Sequence, residues 1–329
     1  MSREIKICLV GAGRHARGNI YPSLYRLANT KIVATCDLNA EAVQSVAAQH
    51  RIPKAYTNVQ EMLREERPDA AIVCTGPAGH AAVAVEVMEA GVDVYTEKPT
   101  APSLTDALRM LETQQRTGRI CMTAYKKRFA PAYVKTKQLI ESPQFGQRAA
   151  LNIVRSSGSG AIPAEQMRGH MLDWTCHTLD LGVFLWGKVH TVTTTAVNRD
   201  GKYAWSVAMQ HEGGAISHQV FTNCPSHPEE AVYICGSGSV VIHVENSIDM
   251  TATLKGKPFD GHSPSFTTGS DHSDIQQGFA GELIEFVNAV RDKREPEANI
   301  RQACHTIAIF EAMWTSAQDG KPVKVEFQQ

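Results

Sequence analysis

The segment Gly11-Ala-Gly13-Arg-His-Ala16 restricts this chain more than any other stretch. It comes after an apolar run, Ile5 to Val10, and leads into residues 15–27, which carry a helical pattern. At a strand–turn–helix junction of this type the first glycine makes the tight turn. The second lets backbone approach a pyrophosphate, and the small third residue lets helix and strand pack closely. The unpaired N–H groups and positive dipole of the helix start favour phosphate. Such a triplet alone is weak, because glycine turns are common. It gains force from Asp37, which ends the next apolar run roughly 20 residues on, where the ribose of a dinucleotide needs an acceptor.

The strand-then-helix pattern repeats along the first third of the chain. Apolar runs at 31–37, 70–74, 92–97 and 120–124 alternate with helical segments at 39–49, 59–65, 79–90 and 103–116. Asn39 and Ser103 stand where N-caps are needed, Asp106 comes after Ser103 as in a capping box, and Gly91 stops the alanine-rich helix. Continuous apolar strands separated by helices predict a parallel sheet covered on both faces. After a further helix at 131–140 the period changes to two. Strand-like runs appear at 148–155, 189–198, 205–210, 215–221, 231–235, 240–244 and 250–254, with turn signals at 211–214 and 236–238. These predict a large, open, mostly antiparallel sheet, interrupted by a helix at 171–186. Residues 256–272 have loop composition, and helices at 273–291 and 300–319 finish the chain. The fold class is therefore α/β, a doubly wound Rossmann sheet and then an α/β domain. With 329 residues the chain exceeds one ordinary core, and we expect domains at 1–125 and 126–329, the last helices packing back toward the first.

Composition excludes little but does so usefully. The formal net charge is -1, which gives no electrostatic reason to invoke nucleic acid or a membrane surface. No apolar run approaches the roughly 20 residues that span a bilayer. The polar start runs straight into a strand, so a cytoplasmic location is the default expectation. The 8 cysteines are scattered without a CxxC pair and read as small buried apolar residues, neither disulfides nor metal ligands. No metal site is expected.

Gly11, Gly13, Arg14, His15, Ala16 and Asp37 are the candidate nucleotide contacts of the first turn. Asp37 should accept from the ribose hydroxyls and repel a 2′-phosphate, which favours NAD over NADP, although Arg14 in the turn is placed to reach a phosphate. Thr75, Gly76, Pro77 and His80 come after the run at 70–74, at the carboxyl edge of the sheet where ligands bind in this fold. His80 reads as a helix-starting residue ahead of any direct catalytic role. Glu97-Lys98-Pro99 ends another strand, a position from which Lys98 faces the same crevice.

Asp173, His177 and Asp180, spaced i, i+4 and i+7, fall on one face of a helix, beside an apolar stripe of Leu172, Cys176, Leu179 and Val183. Oxidation of an alcohol needs a group to remove the hydroxyl proton, and a histidine near neutrality suits that task. A carboxylate one turn away orients or charges it, and a lysine stabilises alkoxide charge. On an equal footing, Asp173 and Asp180 form a cap and a structural ion pair and His177 is a satisfied core histidine.

The glycine turn, Glu97-Lys98-Pro99, the stretch Tyr125 to Phe129, Asp173-xxx-His177-xx-Asp180 and the ending Phe310 to Val323 together resemble the glucose–fructose oxidoreductase/inositol dehydrogenase/MocA family along nearly the whole chain. That resemblance implies an NAD(P)-dependent oxidoreductase acting on a ring hydroxyl of a sugar, cyclitol or related polyol. It implies Lys98, Asp173 and His177 as the catalytic set, with His177 as acid/base, and Tyr125 and Arg128 in the substrate pocket. It also implies that the open sheet mediates a homodimer or homotetramer. Trp174 and Thr175 depart from the small residues common at that helix, which argues for a different pocket. Arg155, Arg168 and His170, with Trp174, are candidate contacts for an acidic or heavily hydroxylated substrate; Arg155 serves equally well as a sheet-surface residue. Two other classes fit the same motifs: a redox-neutral enzyme cleaving glycosides through transient oxidation, and a non-catalytic NAD-sensing regulator.

Overall fold

The computed structural model describes residues 3–263 and 273–327. The chain divides into two units, one made of residues up to Tyr125 together with Phe279–Cys304, the other of Lys126–Gly278 together with residues from His305 onward.

The first unit holds six parallel strands, β1 (Ile5–Val10), β2 (Thr30–Cys36), β3 (Ala55–Tyr56), β4 (Ala70–Val73), β5 (Asp93–Thr96) and β6 (Cys121–Thr123), in the order β3-β2-β1-β4-β5-β6. The order reverses between β1 and β4, which makes their carboxyl ends the topological switch point. Ile7, Leu9, Ile72, Val73 and Val94 are fully or almost fully buried, as continuous apolar strands of a two-sided sheet require.

The helical segment after β1 is irregular where a regular helix is expected. A π turn at Ala16–Ile20 passes into a single turn, α1 (Tyr21–Ser23), and a 3-10 turn at Leu24–Arg26. Pro22 has no N–H for the carbonyl four residues earlier, and the ladder slips: the Tyr21 N–H reaches back to Ala16 O. The helices expected after Asn39 and Ser103 begin there, and Asn58 caps a third that the sequence placed without naming its cap. Asn39 accepts from Ala42 N ahead of α2 (Ala40–His50), Asn58 from Glu61 N ahead of α3 (Val59–Glu66), and Ser103 from Asp106 N ahead of α5 (Leu104–Thr117). Between them α4 (Pro77–Glu89) opens on a proline at its first position and ends just before Gly91.

The second unit carries α6 (Pro131–Ile140), α7 (Ala164–Trp186) and a nine-stranded sheet. Its strands are β7 (Arg148–Ser157), β8 (Val189–Arg199), β9 (Lys202–His211), β10 (Ile216–Thr222), β11 (Pro228–Gly236), β12 (Val240–Glu245), β13 (Asp249–Leu254), β14 (Lys257–His262) and β15 (Val323–Lys324). They lie in the order β14-β13-β12-β11-β7-β10-β9-β8-β15, and only β7 and β10 run parallel. Leu151, Ile153, Val232, Ile234, Ile242 and Val244 face a core that includes Leu181, Leu185 and Trp186 of α7. By the register, Val154, Ile216 and Tyr233 lie on the opposite face, all exposed.

Other stretches depart from their sequence patterns as well, and α7 begins at Ala164, ahead of the helix expected over 171–186. Residues 257–262 form edge strand β14 where a loop is expected, and residues 264–272 of that loop lie outside the described residues. The helix expected over 273–291 is two: α8 (Ser273–Gln276) and α9 (Phe279–Asp292). Gly278 separates them at φ 88, and a Cβ there would stand 2.0 Å from the Lys126 carbonyl oxygen. The last helix, α10 (Ile300–Asp319), begins among residues of the first unit and ends among those of the second.

Candidate functional site

In the first unit the turn after β1 is built around contacts only glycine permits. Gly11 sits at φ 116, and a Cβ there would lie 2.1 Å from the Cys74 carbonyl oxygen at the end of β4. Gly13 and Gly76 face open space, with no atom within 4 Å of a built Cβ. Two loops from the two sides of the switch point thus present bare backbone, which is what close approach of a pyrophosphate demands. Ala16 is buried and lets the next turn pack, whereas Arg14 and His15 are exposed.

Asp37 is fixed at the end of β2. Its Oδ2 accepts the Ala12 N–H at 2.6 Å and its Oδ1 the Asn39 N–H at 2.9 Å. Each oxygen keeps acceptor capacity beyond those bonds. The donor set and the open glycines fit a dinucleotide with an unsubstituted ribose.

His80 is buried and holds two loops together: its Nε2 accepts the Gly76 N–H at 3.0 Å, so the proton sits on Nδ1, which lies 2.9 Å from the Pro99 carbonyl oxygen. The ring therefore braces the turn that carries Thr75, Gly76 and Pro77, of which Thr75 and Pro77 are not buried. Glu97 is buried, lies 3.2 Å from His15 Nε2 and accepts the Lys98 N–H at 3.1 Å. Lys98 comes next, half-buried, at the end of β5.

In the second unit the motif of α7 runs from solvent into the core. Asp173 is exposed, His177 is 6% exposed and Asp180 is 0% exposed. Sequence spacing places the three on one helix face, but their environments differ. Arg128 grips Asp180 with two bonds, Nε to Oδ2 at 2.8 Å and Nη2 to Oδ1 at 2.6 Å. Burial pushes the Asp180 carboxyl up, against the opposing pull of Arg128. The family resemblance implies Arg128 as a pocket residue; at 2% exposure and paired in this way it is a structural partner of the motif's last aspartate. Tyr125 is likewise buried. His170 lies 2.9 Å from the Tyr203 hydroxyl, and burial lowers its pKa, with Asp173 pulling the other way. Arg168 pairs with Glu311 at 2.6 Å over the Phe310 ring.

A charged cluster on the helix-facing side of the sheet joins Arg155 and Lys127, from the Tyr125 to Phe129 stretch, to Glu230, Tyr133 and Ser247, which no sequence motif marks. Glu230 accepts from Lys127 Nζ at 2.7 Å, from the Tyr133 hydroxyl at 2.6 Å, from Ser247 at 2.8 Å and from Arg155 Nη1 at 2.9 Å. Burial alone would raise the Glu230 carboxyl, but the charges of Lys127 and Arg155 outweigh it and hold it well below the usual range. Burial is also the largest influence on Lys127 and brings its amine down to about 7 against the pull of Glu230. The Arg155 guanidinium lies 4.3 Å over the Trp174 ring. One signal for Glu230 is present in the sequence: along β11 it shares the inward parity of Val232 and Ile234. Lys127 sits in a Lys-Lys-Arg run and gives none.

Residues 5–125 match the model of the Gfo/Idh/MocA oxidoreductase family, NAD-binding Rossmann fold, and residues 154–325 match the model of that family's C-terminal alpha/beta domain. The chain belongs to this family. It is an oxidoreductase with an NAD-binding Rossmann domain. The scyllo-inositol 2-dehydrogenase (NAD(+)) of Bacillus subtilis is 24% identical over 100% of this chain and 98% of its own length. The 4-carboxy-2-hydroxymuconate-6-semialdehyde dehydrogenase of a Sphingobium strain is 26% identical over 90% of this chain and 93% of its own. Among solved structures, an oxidoreductase from Agrobacterium radiobacter in complex with NAD+, L-tartaric acid and magnesium superposes with a TM-score of 0.86 at 21% identity, covering 98% of each chain. At that identity the likeness shows the fold.

Proposed function

We propose that this chain transfers a hydride between NAD and a ring hydroxyl or ketone of a sugar, cyclitol or related polyol. The observation that carries the cofactor half is Asp37, held by two backbone N–H groups beside glycines that face open space. A fixed carboxylate there accepts ribose hydroxyls and repels a 2′-phosphate, which supports NAD over NADP. Gly11, Gly13, Arg14, His15, Ala16, Thr75, Gly76 and Pro77 would form the rest of the cradle, with His80 bracing it and Glu97 holding His15. When bound, the nicotinamide supplies the hydride acceptor at the carbinol carbon.

The proton chemistry falls to the chain's own residues. In the proposed reaction His177 takes the hydroxyl proton as the carbinol is oxidised and returns it in reduction. Lys98 donates a hydrogen bond to the developing alkoxide oxygen, and Asp173 keeps His177 oriented. The named polyol dehydrogenases among the relatives support this substrate class. The exposed apolar residues Val154, Ile216 and Tyr233, on one face of the large sheet, support a homodimer or homotetramer formed there.

Screening cyclitols and aldoses for NADH formation tests the reading. We expect Lys98→Ala and His177→Gln each to lower kcat by about 100- to 10,000-fold, the range for an oxyanion donor or an acid/base group. In addition, His177→Gln should flatten the acid limb of the kcat/KM profile. Undiminished turnover in either variant would remove that residue from the chemistry. Glycoside cleavage without net NADH would instead identify a transient-oxidation enzyme.

A further inference from the structure

Within the second unit, a pocket of about 270 Å³ is lined by Lys127, Arg155, Trp174, Glu230, Asn246 and Ser247 among others. Glu230 is the one buried carboxylate on its wall among the described residues, and four donors already occupy it. Beside it stand Lys127, whose amine burial brings down to about 7, and the permanently charged Arg155. The other acid on the wall, Glu229, is exposed and lies 2.6 Å from His227 Nε2.

Arg155 is held from two directions. Its face rests on the Trp174 ring and its Nη1 is tied to Glu230. Among the described residues its Nε and Nη2 donate to none, and neither atom is sealed from solvent. A guanidinium fixed in plane with one edge open is prepared to grip a carboxylate through two parallel N–H···O bonds, with little rotamer entropy left to lose. Trp174 adjoins Asp173 and lies one helical turn before His177 on α7, so an anchored group here sits within a few bonds' reach of the proposed acid/base.

We propose that this pocket is an anion subsite in which the open edge of Arg155 binds a carboxylate of the substrate, so that the enzyme acts on a polyhydroxy acid and discriminates against its neutral counterpart. The proposal rests on the polyol oxidoreductase reading for its catalytic consequence, but not for its binding consequence. The open edge of Arg155 offers one planar fork, which matches one carboxylate; with Glu230 and Glu229 in the wall, a phosphate dianion is opposed by two carboxylates.

The test uses the NAD-loaded protein with D-gluconate and D-glucuronate as acids, D-glucose and myo-inositol as neutral partners, and D-glucose 6-phosphate as the dianion. Calorimetric binding is measured beside turnover. We expect the acids to bind at least tenfold tighter than the neutral probes. In Arg155→Gln the ratio of acid to neutral binding should fall by about 10- to 100-fold, the loss that goes with hydrogen bonds to a charged group. Arg155→Lys keeps the charge without the planar fork and should recover part of the ratio, which separates recognition from a general loss of folding. Equal binding of acids and neutral probes, or a ratio that Arg155→Gln leaves unchanged, overturns the subsite. Stronger binding of the phosphate than of both acids overturns the carboxylate assignment. If the acids bind selectively while none of the probes is oxidised, the subsite stands and the oxidoreductase reading is what fails for these probes.

Discussion

Asp180 and Arg128 are a pair whose value lies in staying together. Both are almost completely buried, and burial raises the Asp180 carboxyl while Arg128 opposes the rise. Taking either away leaves an uncompensated charge in the core, which costs about 3–5 kcal/mol, whereas replacing both with apolar residues of similar volume is often neutral. Asp180→Ala should therefore lower the urea midpoint by an amount equivalent to ~3 kcal/mol or more, and the double variant Arg128→Met/Asp180→Leu should recover most of it. A single-variant loss below ~1 kcal/mol would show that the pair is not desolvated in solution. The motif that contains Asp180 is plain in the sequence, but the division of labour inside it is not. Spacing puts Asp173, His177 and Asp180 on one face and says nothing of depth, because depth is set by what the rest of the chain packs against that face. The family resemblance implies Arg128 as a substrate contact, and a cation in a basic run gives no sign of the carboxylate 52 residues away that it pairs with. Trp174, by contrast, stands out in the sequence as a bulky departure, and the departure has a physical use as the platform under Arg155.

At the scale of elements, strands buried on both sides and helices with side-chain caps are legible nearly to the residue; β1 has the bounds its pattern implies, and α2 and α5 lie within a residue of theirs. Structure set by one-sided or long-range partners is not. Strand β14 contains Pro258, Asp260 and Gly261, poor strand formers that only an edge position tolerates. The break between α8 and α9 depends on Gly278 meeting the carbonyl of Lys126, far earlier in the chain, and no local pattern reports that. Helix α10 carries a further consequence. His305 accepts the Val189 N–H at 3.2 Å, and burial, aided by the neighbouring Lys188, His190 and His211, lowers its pKa from 6.5 to about 4. Above pH 6.5 the ring is neutral in both folded and unfolded chains, and its contribution to stability is complete. As the pH falls from 6.5 toward 4, the unfolded chain takes up a proton that the folded ring refuses, so stability declines across that window. Burial shifts His211 and His170 in the same direction and adds to the decline. Thermal melts between about pH 4 and 7 should show it. His305→Gln, which can still accept the Val189 N–H, should make the acid slope shallower by close to one proton's share; an unchanged slope would assign the decline to other groups.

For the molecule as a whole, the informative quantity is how a ligand of one unit changes the unfolding of a chain built from two. A ligand that binds only the folded state stabilises it by about 2.7 kcal/mol when present at roughly 100 times its Kd. For domains of about 150–250 residues each kcal/mol raises Tm by roughly 2–4 °C, so NAD should raise the transition of the first unit by about 5–10 °C. A chain with two units need not melt in one step, and calorimetry tells the cases apart. If the units unfold together, the single transition moves as a whole. If they unfold separately, only the transition that includes β1 to β6 moves, and that of the nine-stranded sheet stays. The cofactor preference is tested by the same measurement. The Asp37 carboxylate is held in place by the Ala12 and Asn39 N–H groups and cannot swing away from a 2′-phosphate without breaking both bonds. NADP at the concentration used for NAD should therefore give less than half the shift. Asp37→Ser removes the charge and should bring the two shifts together, with Arg14 in the same turn to meet the added phosphate. A shift with NADP equal to that with NAD in the unaltered protein would show that the carboxylate does not select the cofactor, however firmly the turn holds it.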